Sequence, residues 1–547
     1  MKKYIVGLRK HICIFTLIYL VNTLSFAVIP LINKSLFDSV VGDAEYSLLQ
    51  LVFYYVICVL VHLATAYGTN IWNWKIGIKF EGDMKRDYFS AISRMPYIRF
   101  KQKDIGEYIS IQGNDITTIE ADYLTPLISL FNQIIVFAVY GVILFIYVDW
   151  RVALALLSTS LLLLPLSNIT SRKLAAKRKA YSDSQGSYTA RITDFLTGKH
   201  LISRITMAAF EREHEQVREE TARARYAFGK SKSIILPFNA SFSFVLTIVA
   251  FAVTGYLLFQ KEITVGVAIA ALGYIEAFLS PLQEIVYDVT TIYSTKEVRN
   301  KVQAVLAVPE ENLEEKNSLN TSLQLRHVRI QFERFQIKDF SFTFERNKKY
   351  AIIGHNGSGK STILRVIAQH IKVDSGDVLF DGKNAAEVDA SGLICYISQH
   401  EHLFRDTFLN NVSVFSSYKL VQEDTKRAIG EDIYERLYNQ ENCQTLSGGE
   451  KQIVKLVRML TEDKPVCILD EPFADMDINR TQKMMEQIMK MKGKTFIVVT
   501  HNLSDDLKGF DEIILMGNGE ILQHGSYADI SKTSDFQTLK AATEVLL

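Results

Sequence analysis

Six long runs of apolar residues occupy the N-terminal half of the chain, at positions 11–31, 51–67, 127–148, 152–169, 234–259 and 263–286. A helix needs about 20 apolar residues to cross a bilayer core, so each run predicts a membrane span, the second and fourth being the shortest. The connections near 149–151 and 260–262 are tight turns, whereas those at about 70–122 and 172–232 are long. Neither long connection has loop composition: DMKRDYFSAISRMPYIRF and RITDFLTGKHLISRITMAAFEREHEQVREE keep helical spacing with few breakers, so the spans are expected to continue as amphipathic helices. A polar stretch at 309–321 then changes the pattern. Beyond it, apolar runs of strand length at 350–353, 393–398 and 495–500 alternate with helical segments, as in an α/β domain. The predicted organisation is a polytopic α-helical membrane domain of six transmembrane helices (1–308), a linker (309–321) and an α/β domain (322–547).

Composition agrees with half membrane and half soluble protein: 48% of the 547 residues are hydrophobic, and the mean hydropathy is +0.09. The first run follows Lys2, Lys3, Arg9 and Lys10 like a signal peptide, but it is too long and has no small-residue cleavage site at Pro30-Leu31-Ile32-Asn33, so a retained span is expected. The N-terminus and both long connections carry Lys and Arg, while the connection with Asp38, Asp43 and Glu45 is acidic. Positive-inside orientation therefore places both termini, both long connections and the α/β domain in the cytoplasm of a cell-membrane protein. A net charge of +1 gives no sign of a nucleic-acid partner. The five cysteines show neither disulfide nor metal spacing.

The α/β domain carries its own chemistry. GHNGSGKST, from Gly354 through Asn356, Gly357, Ser358, Gly359, Lys360 and Ser361 to Thr362, follows a strand-like run and precedes a helical one. Glycines there let the chain turn tightly and aim N–H groups inward at phosphates, with a helix N-terminus behind them. Lys360 would reach the β- and γ-phosphates of ATP and Ser361 would ligate Mg²⁺. PVCILDEPF ends an apolar strand in two acids at the edge where such sheets bind ligands. Asp470 would hold Mg²⁺ directly or through water, and Glu471 would polarise the attacking water; two acids after a strand also serve as helix caps or solvated charge.

LSGGEKQ (Leu446 to Gln452) resembles the signature of ATP-binding-cassette ATPases. Its Ser447, Gly448 and Gly449 open a helix. They can bind a γ-phosphate, which in that family belongs to the opposite subunit, and Ser447 with Glu450 also reads as a capping box. The resemblance implies further roles: Gln399 as the glutamine contacting Mg²⁺ and water, His501 as the switch histidine, Asp477 as the last residue of the loop after the catalytic acid, and Phe332 as the aromatic that stacks on adenine, with Phe335 competing. Departures are Glu450 for the usual glutamine, Ile453 for an arginine, and ERLYNQENCQT where a TEVGERG-like stretch is usual.

The membrane half resembles the exporters of that superfamily, with transverse docking helices expected near Asn114-Asp115 and from Phe195 to Lys199. One cassette on six spans is half a transporter, so the resemblance implies a second half-transporter as partner, in a homodimer or heterodimer. The function expected is ATP-driven export of a peptide or a hydrophobic or amphiphilic small molecule. Lipid flipping, or a non-transporting regulatory or channel-like role, is the alternative. Glu276, inside the sixth run, is expected either to face a cargo path or to make a structural hydrogen bond to Asn132, Gln133 or Asn239.

Overall fold

The computed structural model describes residues 1–41, 46–307, 313–399, 401–474, 476–503 and 505–544. The chain forms two compact units. One is Met1–Arg94 with Lys103–Val308; the other is Met95–Gln102 with Pro309–Leu547.

All six apolar runs lie on helices. In the first unit these are α1 (Arg9–Ala27), α2 (Ile29–Val41), α3 (Leu48–Ser93), α4 (Thr125–Ile143, within the helical run Ile105–Val148), α5 (Trp150–Thr197), α6 (Met207–Phe259) and α7 (Val265–Ser294). Arg9–Val40, Leu48–Ser93 and Ile105–Val148 are long and apolar enough to cross a membrane, and shorter apolar windows occupy α5, α6 and α7. At 46, 48 and 53 residues, α3, α5 and α6 are each about 70–80 Å long. That is more than twice the thickness of a hydrocarbon core, about 30 Å, so the amphipathic continuations are true helix.

The first apolar run breaks beside Pro30. Leu31 N–H there bonds to Val28 instead of Ala27, which leaves the Ala27 carbonyl without its helical donor. The buried Tyr274 hydroxyl of α7 donates to it at 2.5 Å. Tyr140 of α4 packs on the Tyr274 ring, with centroids 5.8 Å apart, and Leu144, Leu156, Leu246 and Ala250 complete the buried cluster around this joint.

In the second unit, β1 (Ser322–Gln331), β2 (Gln336–Glu345), β3 (Lys349–Gly354), β4 (Ser375–Phe380), β5 (Lys383–Asn384), β6 (Ile394–Ile397), β7 (Val466–Asp470), β8 (Thr495–Val499), β9 (Glu512–Gly517) and β10 (Glu520–Gly525) form one sheet. Their order is β5-β4-β1-β2-β10-β9-β3-β8-β7-β6. Strands β9, β3, β8, β7 and β6 are mutually parallel and nearly all apolar, as strands covered on both faces must be. Helices α8 (Lys360–Ile367), α9 (Gly448–Glu462) and α10 (Ile478–Lys490) belong to this unit. A helical insert built on Phe408, Leu437 and Cys443 buries Ile453 of α9, which explains an apolar side chain where related signatures carry arginine. The buried Arg458 ties the insert to α9 by donating to the Asn411 carbonyl at 2.8 Å.

Asn114-Asp115 lie in a π-helical turn, Ile111–Asp115, inside the first unit. The segment that joins the cassette's unit is Met95–Gln102, where Pro96 precedes a one-turn helix, Tyr97–Phe100; proline cannot continue the long helix that ends at Ser93. Phe195 and its neighbours close α5 at Gly198.

Asp381 closes the start of the cassette. Its carboxylate accepts from the backbone N–H groups of Asn320, Thr321 and Ser322 and pairs with Lys316 at 2.8 Å. Burial works against its charge, but Lys316 and the N–H groups hold the carboxyl well below its ordinary range. A depressed folded value stabilises the protein above the unfolded value of about 3.9 and is lost as pH falls through the folded one. Asp381→Asn should therefore cost about 1–3 kcal/mol at pH 7. In thermal melts of the full chain, the gap from the parent should narrow as pH is lowered through about 4.

Candidate nucleotide site

The site lies at the C-terminal ends of β3, β7 and β8. Gly354 ends β3 with φ +151° and Gly359 precedes α8 with φ +102°. A Cβ on Gly354 would stand 2.2 Å from the Met516 carbonyl oxygen, and one on Gly359 would stand 2.5 Å from Ile337, so both positions need glycine for conformation and for space. Asn356 and Gly357 face outward while Ser358, Gly359 and Lys360 are buried. The Lys360 ammonium donates to the Gly354 and His355 carbonyls, each at 2.9 Å. Burial lowers its pKa, and the charges of Glu471 and Asp470 pull the other way.

Two clusters of acid and partner stand beside this loop. Ser361 donates to Asp470 Oδ1 at 2.9 Å, and the Tyr396 hydroxyl reaches Asp470 Oδ2 at 3.5 Å. Burial raises the Asp470 carboxyl above the ordinary range against the pull of Ser361, and the Glu471 charge adds to the rise. A bound cation would reverse that cost. Glu471 takes the next position in a left-handed conformation, φ +51°, a strain of about 1–3 kcal/mol offset by its N–H bond to Val499. Gln399 Nε2 donates to Glu471 Oε2 at 3.0 Å, and His501 Nε2 lies 2.7 Å from Oε1. Three residues far apart in sequence thus meet on one carboxylate.

The residues present suit a nucleotide with a hard divalent cation. The buried Ser358 hydroxyl has no hydrogen-bond partner among the described residues, the space beside Gly357 is open, and the buried Lys360 ammonium could hold a phosphate oxygen. The oxygen donors of Ser361 and Asp470 with the Gln399 amide are the donor set Mg²⁺ takes.

The other sequence candidates lie elsewhere in the unit. Ser447 caps α9, its hydroxyl and N–H both donating to Glu450 at 2.7 and 3.0 Å, while Arg436 pairs with Glu450 at 2.7 Å. Among the described residues no hydrogen bond joins Ser447, Gly448 or Gly449 to the phosphate loop. Asp477 caps α10 by accepting from Arg480 N–H. Phe332 and Phe335 stack at the tip of the β1–β2 hairpin. Phe335 packs into the core and Phe332 stays 39% exposed, which leaves Phe332 as the available ring.

Sequence reasoning missed several residues. Tyr396 reaches Asp470, and its signal was a tyrosine three positions before Gln399. Lys455 of α9 holds the Gln399 carbonyl at 3.2 Å. In the membrane half, Glu276 lies on α7 but its side chain is outside the described residues, as is that of Asn239. The structure instead pairs Gln133 with Glu284 and buries Asp288 one turn further on, an i, i+4 pair of acids legible in the sequence.

The ABC transporter transmembrane region family matches residues 12–282 and the ABC transporter family matches residues 337–474. The chain belongs to the ABC transporter family. It resembles the ATP-dependent lipid A-core flippase of Pasteurella multocida, with 25% identity over 93% of this chain and 91% of that one. It is also similar to the Mesentericin-Y105 transport/processing ATP-binding protein of Leuconostoc mesenteroides, with 25% identity over 89% of this chain and 69% of that one. The solved structure of a bacterial Atm1-family ABC exporter with ATP bound superposes with a TM-score of 0.85 at 20% identity, covering 98% of this chain and 99% of that one. This ABC exporter carries its membrane domain and its ATPase on one chain and couples ATP hydrolysis to transport.

Gly359→Ala should weaken binding of a fluorescent ATP analogue roughly tenfold or more, because a side chain at φ +102° is strained by about 1–3 kcal/mol before any contact is counted.

Proposed function

We propose that two such chains, identical or different, export a peptide or a hydrophobic or amphiphilic small molecule across the cell membrane, hydrolysing ATP at two composite sites. The convergence of Gln399 and His501 on Glu471, beside the Ser361–Asp470 pair, carries this reading. In it, the loop from Gly354 to Thr362, with Asn356, Gly357, Ser358 and Gly359, wraps the phosphates, Lys360 holds the β- and γ-phosphates, and Phe332 stacks on adenine. Ser361, Asp470 and Gln399 hold Mg²⁺, which when bound offsets the charge on the phosphate oxygens. Glu471 orients the attacking water, with Gln399 and His501 fixing its two oxygens. Ser447, Gly448 and Gly449 of a second cassette close the site over the γ-phosphate, and Asp477 lies at the same interface. Domain limits of 1–308, 309–321 and 322–547, six membrane spans and a cytoplasmic cassette complete the proposal, the orientation supported by the basic long connections.

Lipid flipping is the second reading, favoured by likeness to the lipid A-core flippase over most of the chain. ATP-dependent movement of a fluorescent lipid between leaflets of reconstituted liposomes, against uptake of labelled peptides into inverted vesicles, separates the two. A chain that hydrolyses ATP in liposomes and moves neither class would leave the regulatory or channel-like role.

Glu471→Gln should keep nucleotide affinity within about twofold yet slow steady-state hydrolysis by at least 10²-fold, the scale of a lost general base. The check is phosphate release from a homodimer, or from a heterodimer whose other site is silenced. Chelating Mg²⁺ should abolish turnover while leaving residual ATP binding.

A further inference from the structure

A chain of aromatic contacts leads from the segment Met95–Gln102 to the carboxylate of Asp470. Tyr97 of the short helix packs against His370 with ring centroids 4.1 Å apart and planes tilted by 33°. His370 meets Tyr396 edge-on at 5.2 Å, and the Tyr396 hydroxyl lies 3.5 Å from Asp470 Oδ2, on the oxygen that Ser361 does not use. All of these residues belong to one compact unit, yet Tyr97 is joined through Pro96 to the 46-residue helix α3 of the other.

The parts are held for this arrangement. His370 sits in the turn after α8, its N–H bonded to the Arg365 carbonyl at 2.7 Å, so its place depends on the helix that begins with Lys360. Burial, then the Arg365 and Lys101 charges, push its pKa down to about 4, which keeps the ring neutral between two tyrosines. Tyr396 lies on β6, next to β7 in the register Tyr396↔Ile468. Burial and the Asp470 charge push its hydroxyl up to about 12, so it remains a donor. The path reaches the metal carboxylate without passing through Gln399, which bonds to Glu471 instead.

We propose that Tyr97, His370 and Tyr396 form a ring relay that sets the position of the Asp470 carboxylate, making His370 and Tyr396 positioning residues for the metal-dependent step of ATP hydrolysis. The proposal rests on the reading of Asp470 as a Mg²⁺ ligand. A shift of the short helix turns the His370 ring, the ring moves Tyr396, and the Tyr396 hydroxyl gains or loses Asp470. Seating of the segment after α3 is thereby reported at the oxygen that must meet the cation.

The test is the ATPase rate of the full-length chain in lipid nanodiscs against free Mg²⁺ at saturating ATP. Tyr396→Phe keeps the ring and should raise the half-activating Mg²⁺ concentration about threefold, the low end for one hydrogen bond, as its 3.5 Å length implies. His370→Ala and Tyr97→Ala should shift it the same way, and Tyr97→Ala combined with Tyr396→Phe should shift it no further than Tyr396→Phe alone. His370→Phe, which restores a ring, should follow the parent curve. Binding of a fluorescent ATP analogue in EDTA should be unchanged throughout, as a merely unfolded site would not allow. Alanine variants that bind the analogue normally and keep the parent Mg²⁺ curve overturn the relay, as does additivity in the double variant. If the alanine variants lose nucleotide binding, the ring-keeping pair decides: a shifted Tyr396→Phe with a parent-like His370→Phe supports the relay, and a parent-like Tyr396→Phe ends it. A parent chain without Mg²⁺-dependent turnover would instead remove the metal reading, a result distinct from variants that match an active parent.

Discussion

Charged groups buried at the C-terminal edge of a parallel sheet set the terms for this cassette. Lys360 and Asp470 are 5% and 3% exposed, and a charge taken from water must find partners or change its protonation. Lys360 finds carbonyls; Asp470 finds hydroxyls. Among the described residues, neither group's hydrogen bonds reach an opposite charge. A nucleotide bound with a divalent cation would offset both charges together. Around this pair the glycines keep the loop open, and the left-handed Glu471 turns its carboxylate toward Gln399 and His501.

Those two bonds matter because Gln399 and His501 sit on separate connections, after β6 and β8. Lys455 of α9, the helix that opens with Ser447, also grips the Gln399 backbone. The signature helix and the Glu471 clamp are therefore joined within one chain, although among the described residues no hydrogen bond links Ser447 to the phosphate loop. Glu450 adds a local feature: a carboxylate where an amide is usual engages Ser447 and is balanced by Arg436, so the cap and the charge balance of the signature turn depend on each other.

In the membrane half a single break organises the packing. Pro30 stops the first apolar run from being one straight helix, and the carbonyl freed at Ala27 receives the Tyr274 hydroxyl. An unsatisfied carbonyl inside a membrane domain costs several kcal/mol, so this bond fixes α1 against α7. The amphipathic continuations of α3, α5 and α6 need polar surroundings along much of their length, as their surface ion pairs show.

Element type was legible in the sequence because apolar periodicity and length are local properties: long apolar runs could be little but helices, and the 350–353 and 495–500 runs could be little but buried strands. Local conformation was legible where a motif encodes its own geometry, as in the glycine-bearing loop from Gly354 to Thr362. Periodicity could not reveal which elements become neighbours. The meeting of Gln399, Glu471 and His501 depends on strand order, the contact of Tyr396 with Asp470 on the register of β6 against β7, and the place of Tyr97 on where Pro96 ends the long helix. A helix of four residues, Tyr97–Phe100, carries too little pattern to be told from a turn. The sequence alone determined the chemistry available to this protein, because functional groups are fixed residue by residue; tertiary structure alone decided which of them share a carboxylate, because strand pairing and helix packing bring together residues separated by about a hundred positions.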